Sequence, residues 1–514
     1  MRKKIAILLL ALCATATVNA QTGPMKASQM GNATSVDELV GWFYWYNKTT
    51  SGNPTGVEDE IATLYDSGTN NNRYVCFTKV DESTVMIYGM FEMPVIGNVI
   101  FSGGKAYAID IAKDQIVGYN KTYGQMMLSN AQVWDPEKNE GAGGWAYYSS
   151  VRFRLNANSW YNENNWIRTY IYYGEGTAYY GNKYIPGYAR SYSRIATAYA
   201  DWNAVMYTTY DKNIHNWQYE TKAVNVTQVG NTLQVQNFLG NSQTVNVDLH
   251  ADNTLSIENQ LVRTPDYMLY PATGNVADME NPIYGTGTEE EVTWGNFCYS
   301  NGTTTYYFND SKIVFLNKDV NKFHFPVALT MTDAGWASFS SEKALDFTGT
   351  GLTPYAVSEV DATNGATLSP VEVAVAPHTG LFVSGVAGNY EIPTVADGKL
   401  PANALVATSQ GEHTSDGQTY WGLGLDASSG AIGLKKMSAG SVAANKAYLI
   451  FDRAAAGAKS FLPFNFGGTT AIEGSLTPNP SPEGKGSLYN LQGQRVGEGY
   501  RGIVIKNGKK VVKH

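Results

Sequence analysis

Ser83-Thr84-Val85-Met86-Ile87-Tyr88-Gly89-Met90-Phe91 carries the pattern that decides the fold. Val85 and Ile87 alternate with Met86 and Tyr88, the period of two that sends successive side chains to opposite faces of a β-strand. The alternation recurs on either side. Tyr107, Ile109 and Ile111 alternate with Ala108 and Asp110; Val151, Phe153 and Leu155 with Arg152 and Arg154; Val245, Val247 and Leu249 with Asn246 and Asp248. One face of each strand can be buried while the other meets water or a ligand. Gly103-Gly104, Asn182 and Asn507-Gly508 supply residues that tolerate the positive φ of tight turns. The composition agrees, since 52 Gly and 35 Tyr beside only 16% charged residues favour strands and turns over long solvated helices. One helix start stands out, the capping-box pattern Ser35-Val36-Asp37-Glu38 ahead of Leu39 and Val40. That helix must be short, because Gly41-Trp42-Phe43-Tyr44-Trp45-Tyr46 follows at once and reads as an aromatic strand. The expectation is an all-β chain, and 514 residues are too many for one core, so about three domains are expected.

A short internal repeat runs through the first half. Thr78-Lys79-Val80 followed by Thr84-Val85-Met86-Ile87 aligns, with one residue of slippage, against Thr227-Gln228-Val229 followed by Thr232-Leu233-Gln234-Val235. Strand-like segments trail each copy, Ala106 to Ile111 in the first and Asn253 to Ile257 in the second. Two related β modules would explain this, and so would the turn chemistry that any two antiparallel meanders share.

The ends of the chain read as addresses. Arg2, Lys3 and Lys4 form a basic start, Ile5 to Ala16 an apolar core and Val18-Asn19-Ala20 a small-residue cleavage site, so a signal peptide over 1–20 and a mature start at Gln21 are expected. The apolar run is too short for a membrane anchor, which needs about 20 residues. At the other end, Tyr489-Asn490-Leu491-Gln492-Gly493-Gln494-Arg495-Val496 and the segment from Gly502-Ile503-Val504-Ile505 to Lys513 resemble the sorting tails of proteins exported by the type IX secretion route of Bacteroidetes. This resemblance implies a secreted or cell-surface protein that engages the secretion machinery through Tyr489 to Lys513. Only the terminal motifs are present, without a domain-length sandwich of their own.

Further stretches resemble β-rich modules of Bacteroides and Prevotella surface proteins. Ser83 to Phe91 and Asn231 to Gly240 are similar to their β-meander strands. Met331-Thr332-Asp333-Ala334-Gly335-Trp336-Ala337-Ser338-Phe339, Ala344-Leu345-Asp346-Phe347, Ala376-Pro377-His378-Thr379-Gly380-Leu381 and Ala443 to Leu449 are similar to a β-sandwich that precedes the sorting tail. The resemblance implies β-meander or lipocalin-like modules followed by a C-terminal sandwich, and no particular activity. The expected boundaries are an aromatic-rich β domain at 36–223, a second β module at 224–325, the sandwich at 326–466, a Pro/Gly-rich linker at 467–486 and the tail at 487–514.

Several chemistries are disfavoured. The net charge is -8, and Lys and Arg stay scattered until the tail, so nothing suits a phosphate backbone and no nucleic-acid partner is expected. No second apolar run is long enough to span a membrane. With Cys13 removed in the signal, Cys76 and Cys298 remain, either bridging two modules or lying as two buried thiols. There is no G-x-S-x-G elbow, no H-E-x-x-H and no paired C-x-x-C, and His215, His250, His324, His378, His413 and His514 are scattered. Glu289-Glu290-Glu291 cannot flank one glycosidic bond, because adjacent strand residues face opposite ways. Asp361 to Gly365, and Asp248 with Asp252, lack the closing Glu of a calcium loop. No catalytic residue, metal ligand or cofactor is assigned.

The aromatic content is the remaining lead. Between Trp145 and Tyr219 aromatic residues alternate with Asn and Arg, and the strand from Trp166 to Tyr172 places Trp166, Arg168, Tyr170 and Tyr172 on one face and Ile167, Thr169 and Ile171 on the other. With the isoleucines inward, Trp160, Tyr161, Trp166, Arg168, Tyr170 and Tyr172 form a platform able to stack on sugar rings. Cross-strand aromatic ladders stabilise sheets as well, which gives the same residues a structural reading. The function expected is adhesion to, or capture of, a glycan or glycoprotein at the cell surface. The alternatives are a hydrolase acting on polysaccharide or protein, which needs distant groups to converge in space, and a structural surface component.

Overall fold

In a computed structural model, the described residues are 31–49, 73–91, 93–120, 124–135, 139–148, 150–155, 160–162, 167–173, 191–198, 202–211, 217–241, 243–274, 276–361, 364–372, 374–408, 419–437, 442–451, 459–466, 488–489, 495–496, 502–506 and 509–513. They are all-β, as the alternation predicts. The expected signal peptide and linker lie outside them. Where the capping box predicts a short helix there is one 3-10 turn, Asp37–Leu39. Ser35 does not cap it; Val36 holds the cap position, while Glu38 Oε2 reaches back to accept from Thr34 N at 2.7 Å.

Among the described residues the first module has twelve strands: β1 (Gly41–Thr49), β2 (Arg73–Lys79), β3 (Thr84–Tyr88), β4 (Val95–Ser102), β5 (Lys105–Ala112), β6 (Ile116–Asn120), β7 (Gly124–Asp135), β8 (Gly144–Tyr148), β9 (Ser150–Leu155), β10 (Trp160–Asn162), β11 (Ile167–Tyr173) and β12 (Ser191–Ala198). Eight close a barrel in the order β1-β2-β3-β4-β5-β9-β10-β12 and back to β1, and β6, β8 and β11 pair on β7 as a side sheet. Twelve more follow: β13 (Ala204–Asp211), β14 (Trp217–Val229), β15 (Thr232–Gln236), β16 (Thr244–Leu249), β17 (Thr254–Ile257), β18 (Leu261–Arg263), β19 (Tyr267–Thr273), β20 (Val276–Ala277), β21 (Ile283–Gly287), β22 (Glu291–Trp294), β23 (Phe297–Ser300) and β24 (Thr305–Phe315). They repeat the order of the plan, with the difference that β23 also pairs with β24, whereas β11 pairs with β7 in a sheet separate from the first ring. The ring runs β13-β14-β15-β16-β17-β21-β22-β24 and closes through β24 onto β13, while β18, β20 and β23 pair on β19.

The repeat read in the sequence falls on equivalent strands. Thr78 and Thr227 lie on the second ring strands, Val85 to Ile87 and Leu233 to Val235 on the third. The inward pair Phe77 and Ile87 of the first ring matches Val226 and Val235 of the second. Both rings also carry a β-bulge on the last strand, opposite the fourth residue of the first strand. The β12 register slips by one residue after Tyr44, and the β24 register slips by one after Tyr207. The boundary drawn at Ala223 and Val224 falls inside β14, which pairs into the second ring along its length.

Closure leaves neither ring with an exposed edge. Described side chains pack inside both rings. Phe43, Val75, Phe77, Ile87, Ile109 and Ile111 pack in the first, and Leu233, Val247, Leu255, Phe238, Trp294 and Phe297 in the second. Each fully buried side chain of this size contributes roughly 1.5–3 kcal/mol. A further cluster joins them, with Trp42, Cys76 and Tyr88 of the first against Val205 and Tyr207 of the second. Beside it the buried Lys79 meets Asp37 at 3.0 Å, Glu82 at 2.7 Å and Asp319 at 2.7 Å. Cys76 and Cys298 are separate buried thiols.

The C-terminal module comprises β25 (Val327–Met331), β26 (Trp336–Phe339), β27 (Ala344–Leu345), β28 (Thr353–Asp361), β29 (Gly365–Pro370), β30 (Leu381–Ser384), β31 (Gly388–Ile392), β32 (Thr394–Val395), β33 (Leu405–Thr408), β34 (Thr419–Leu425), β35 (Ile432–Lys436), β36 (Lys446–Phe451) and β37 (Phe461–Phe466). Nine of these form one sheet, β26-β30-β28-β29-β37-β35-β34-β36-β33. Its first strands carry a core on each face. On β30, Leu381 and Val383 pack with Phe339 and Phe347, whereas Phe382 packs with Trp421, Leu434 and Leu462. The sheet rolls until β26 meets β36, where Ser338 Oγ accepts from Ala447 N at 2.7 Å and donates to Ala447 O at 2.5 Å.

The tail is a separate compact unit, Phe466–His514. Its strands β38 (Leu488–Tyr489), β39 (Arg495–Val496), β40 (Gly502–Lys506) and β41 (Lys509–Lys513) pair in the order β39-β38-β40-β41. Lys506 pairs with Lys509; Asn507-Gly508, read from the sequence as a turn, lies outside the described residues.

Candidate functional site

The residues of the expected platform divide between two sheets. Trp160 and Tyr161 lie on β10 in the wall of the first barrel, opposite Leu155 and Arg154. Arg168, Tyr170 and Tyr172 lie on β11 in the side sheet, paired with β7 through a register shift between Thr169 and Ile171. Trp166 is outside the described residues.

A groove of about 720 Å³ opens instead on the outer wall of the second barrel. Its position follows from the ladder of β24, which pairs with β22 through Ser311 to Val314 and with β23 through Thr305 to Phe308. Gly295 and Asn296 join those two partner strands, so the wall is interrupted there. The bulge lies at the same level. Asp310 has φ +45°, and Asp310 and Ser311 together stand opposite Thr208. Bulges re-aim side chains in this way beside functional sites. Thr208 and Ser311, both buried, bond through their hydroxyls, and Thr209 Oγ1 donates to Asn309 O at 2.6 Å, which fixes the bulge from within.

Strand pairing sets the lining. Thr254, Thr286, Thr293, Lys312 and Tyr207 are successive cross-strand partners over β17, β21, β22, β24 and β13. They form a row of hydroxyls and one ammonium at the strand spacing of about 4.8 Å. Ile283 faces the core while Tyr284, the next residue, is 64% exposed on the groove wall. Gly295, one residue past Trp294, is open, since a Cβ there would meet nothing within 4 Å. A broad aromatic ring thus stands beside a floor without side chains. Asp252 Oδ1 accepts from Thr254 N at 3.0 Å and Thr254 Oγ1 at 2.6 Å, holding that hydroxyl and keeping the Asp252 carboxyl below its usual range. Lys312 Nζ pairs with Glu291 at 3.0 Å, and the Tyr207 hydroxyl donates to Met93 Sδ at 3.2 Å. Trp294 is buried in the barrel, stacked on Phe238, and its Nε1 has no hydrogen-bond partner among the described residues. The sequence signal for the groove was the alternation Ile283-Tyr284-Gly285-Thr286, with an outward Tyr beside an outward Thr. It is too short to stand out among so many strands.

One constellation overlooked in the sequence is His250. Its Nε2 lies 2.9 Å from Ser256 Oγ and its Nδ1 3.2 Å from Glu391 Oε2, an order of groups that resembles a hydroxyl, base and acid relay. The packing gives it a different role. Ser256 is only 8% exposed, and Glu391 comes from the C-terminal module, where its Oε1 also accepts from Ala251 N at 2.9 Å. With Asn231 Nδ2 donating to Glu391 O at 3.1 Å, these contacts clip the sandwich to the second barrel. Among the described residues no group of three or more His, Cys, Asp or Glu is placed to hold a metal ion. No described helix is long and apolar enough to cross a membrane. No protein family, curated protein or solved structure matches the chain.

Proposed function

We propose that this is a secreted or cell-surface binding protein that captures a glycan or glycoprotein, with the groove over β21, β22 and β24 as its ligand seat. The observation that carries the reading is the exposed Tyr284 beside the open floor at Gly295, flanked by the hydroxyl row Thr254, Thr286 and Thr293. Sugar rings present one apolar face and a rim of hydroxyls, and an aromatic plate with neighbouring donors and acceptors matches both. The groove is shallow and pre-formed on a closed barrel, as suits binding better than chemistry. Delivery to the surface rests on Tyr489 to Lys513, whose motifs resemble a type IX sorting tail.

A glycan and mucin array tests the reading with the mature chain from Gln21 beside its Tyr284→Ala variant. The side chain of Tyr284 points to solvent, so the variant keeps the fold. Binding by the parent, weakened about tenfold or more in the variant, is expected, equivalent to about 1.4 kcal/mol. Equal binding by the two proteins would move the seat elsewhere.

A further inference from the structure

We infer that Asp310 sets the ligand class of the groove: a neutral sugar with adjacent free hydroxyls, to the exclusion of sialylated and sulfated glycans. This inference rests on the binding role proposed above and adds what the seat accepts. Strand register brings the carboxylate into place. β21 pairs with β22 through Gly285 and Trp294, and β22 with β24 through Trp294 and Ser311. The next residues beyond these pairs on the three chain segments are Tyr284, Gly295 and Asp310. All three line the groove, and Tyr284 and Asp310 are both exposed. The aromatic plate and the carboxylate thus stand on either side of the open position at Gly295, where a Cβ would meet nothing within 4 Å. A sugar lying over Gly295 and stacked on Tyr284 meets Asp310 at its hydroxyl rim.

Asp310 is also the charge left over. Lys312, two residues on, is paired with Glu291 at 3.0 Å, and Asp252 is taken up by the amide and hydroxyl of Thr254. Asp310 has no cationic partner among the described residues. Asn309 Nδ2 donates to its Oδ2 at 3.0 Å, which orients the carboxylate and leaves Oδ1 to accept from a ligand. A carboxylate can accept from two neighbouring sugar hydroxyls, and such charge-assisted bonds are roughly twice as strong as neutral ones. The same charge repels a sulfate or carboxylate on the ligand, at a cost of about tenfold or more in affinity for like charges about 6 Å apart near a protein surface. Thr254, Thr286 and Thr293 carry no charge to offset it. The φ of +45° at Asp310 is one that Asp and Asn tolerate best among residues with a side chain, so Asn can take its place without disturbing the bulge.

The test is an array of neutral oligosaccharides, each printed beside its sialylated and its sulfated form, and probed with the mature chain, Tyr284→Ala, Asp310→Asn and Glu359→Gln. Glu359 is exposed on β28 and does not line the groove, so its variant removes the same charge elsewhere. The parent should bind at least one neutral chain and bind its charged forms about tenfold or more weakly. Asp310→Asn should bring the neutral and charged forms within about threefold of each other, while Glu359→Gln keeps the parent's preference. Raising the salt from about 0.05 M to about 0.5 M should shrink that preference in the unaltered protein, a readout that needs no variant. Equal binding of neutral and charged chains by the parent, a preference that resists salt, one unchanged in Asp310→Asn or one lost in Glu359→Gln would overturn the role of Asp310. The groove assignment would still stand wherever Tyr284→Ala weakens binding. Binding undiminished in Tyr284→Ala, or no binding of any neutral chain, would overturn the seat and this inference together.

Discussion

Lys79 shows at the scale of one residue how the barrels are joined. Its side chain is 4% exposed, yet three carboxylates and the Leu316 carbonyl, which accepts from Lys79 N at 2.9 Å, surround it at the junction. Those partners hold the ammonium well above the usual lysine range, and the hydrogen bond from Lys79 keeps Asp319 below the usual carboxylate range. The two shifts bound a pH window. The raised Lys79 contributes stability that is complete below its unfolded pKa and lost as pH rises through the folded one. The depressed Asp319 contributes stability that is present above its unfolded pKa and lost as pH falls through the folded one. Denaturant melts should therefore show Lys79→Ala costing about 1–3 kcal/mol near neutrality, with the difference from the parent shrinking in acid as the carboxylates are protonated. A difference that persists unchanged at low pH would remove the charge argument. The thiols allow a second check. Burial pushes Cys298 up to about 11 and raises Cys76 well above the ordinary thiol value. Both should resist a thiol reagent at neutral pH and react only after denaturation, without prior reduction; a need for reduction would mean a disulfide.

At the scale of elements, the repeat was legible because β2 with β3, and β14 with β15, place matched residues on the same faces of matched hairpins. The start of the second ring was not legible, because β13 and the first half of β14 continue the aromatic, Tyr-rich composition of what precedes them. The groove was hidden for a different reason. Its row joins Tyr207, Thr254, Thr286, Thr293 and Lys312, which are far apart in sequence and become neighbours only through five strand pairings. The helix start failed because Gly41 begins a strand two residues after Leu39, leaving room for one turn. The close approach of β21 to β22 supplies a prediction of its own. A Cβ on Gly285 would run into the Thr293 carbonyl and reach Trp294 Cβ at 2.9 Å and Leu255 Cδ1 at 3.0 Å. Gly285→Ala should thus destabilise the second barrel by about 1–3 kcal/mol through overpacking, and by displacing β22 should weaken ligand binding too. Open Gly295 offers the control, since Gly295→Ala should leave stability within about 0.5 kcal/mol of the parent while crowding the groove floor.

At the scale of the whole molecule, two eight-stranded rings are followed by a rolled sandwich, and the groove described above lies on the outer wall of the second ring. The role proposed for it is binding at a cell surface. In that proposal the tail directs export. Removing 487–514 should retain the protein inside the outer membrane of a host that carries the type IX route, with folding and binding intact, as followed by surface proteolysis and fractionation. Unchanged surface display would sever the tail from export. The claim on which the account depends is the seat at Tyr284, and the most direct measurement is protection of that ring. The mature chain is treated with a tyrosine-nitrating reagent with and without saturating mucin glycans, and nitration at each tyrosine is read by peptide mass spectrometry. Tyr284, 64% exposed in the free protein, should be nitrated readily alone and protected by the glycan, whereas Tyr390, outside the groove, should react equally in both. Full nitration of Tyr284 in the presence of a glycan shown to be bound would contradict the assignment.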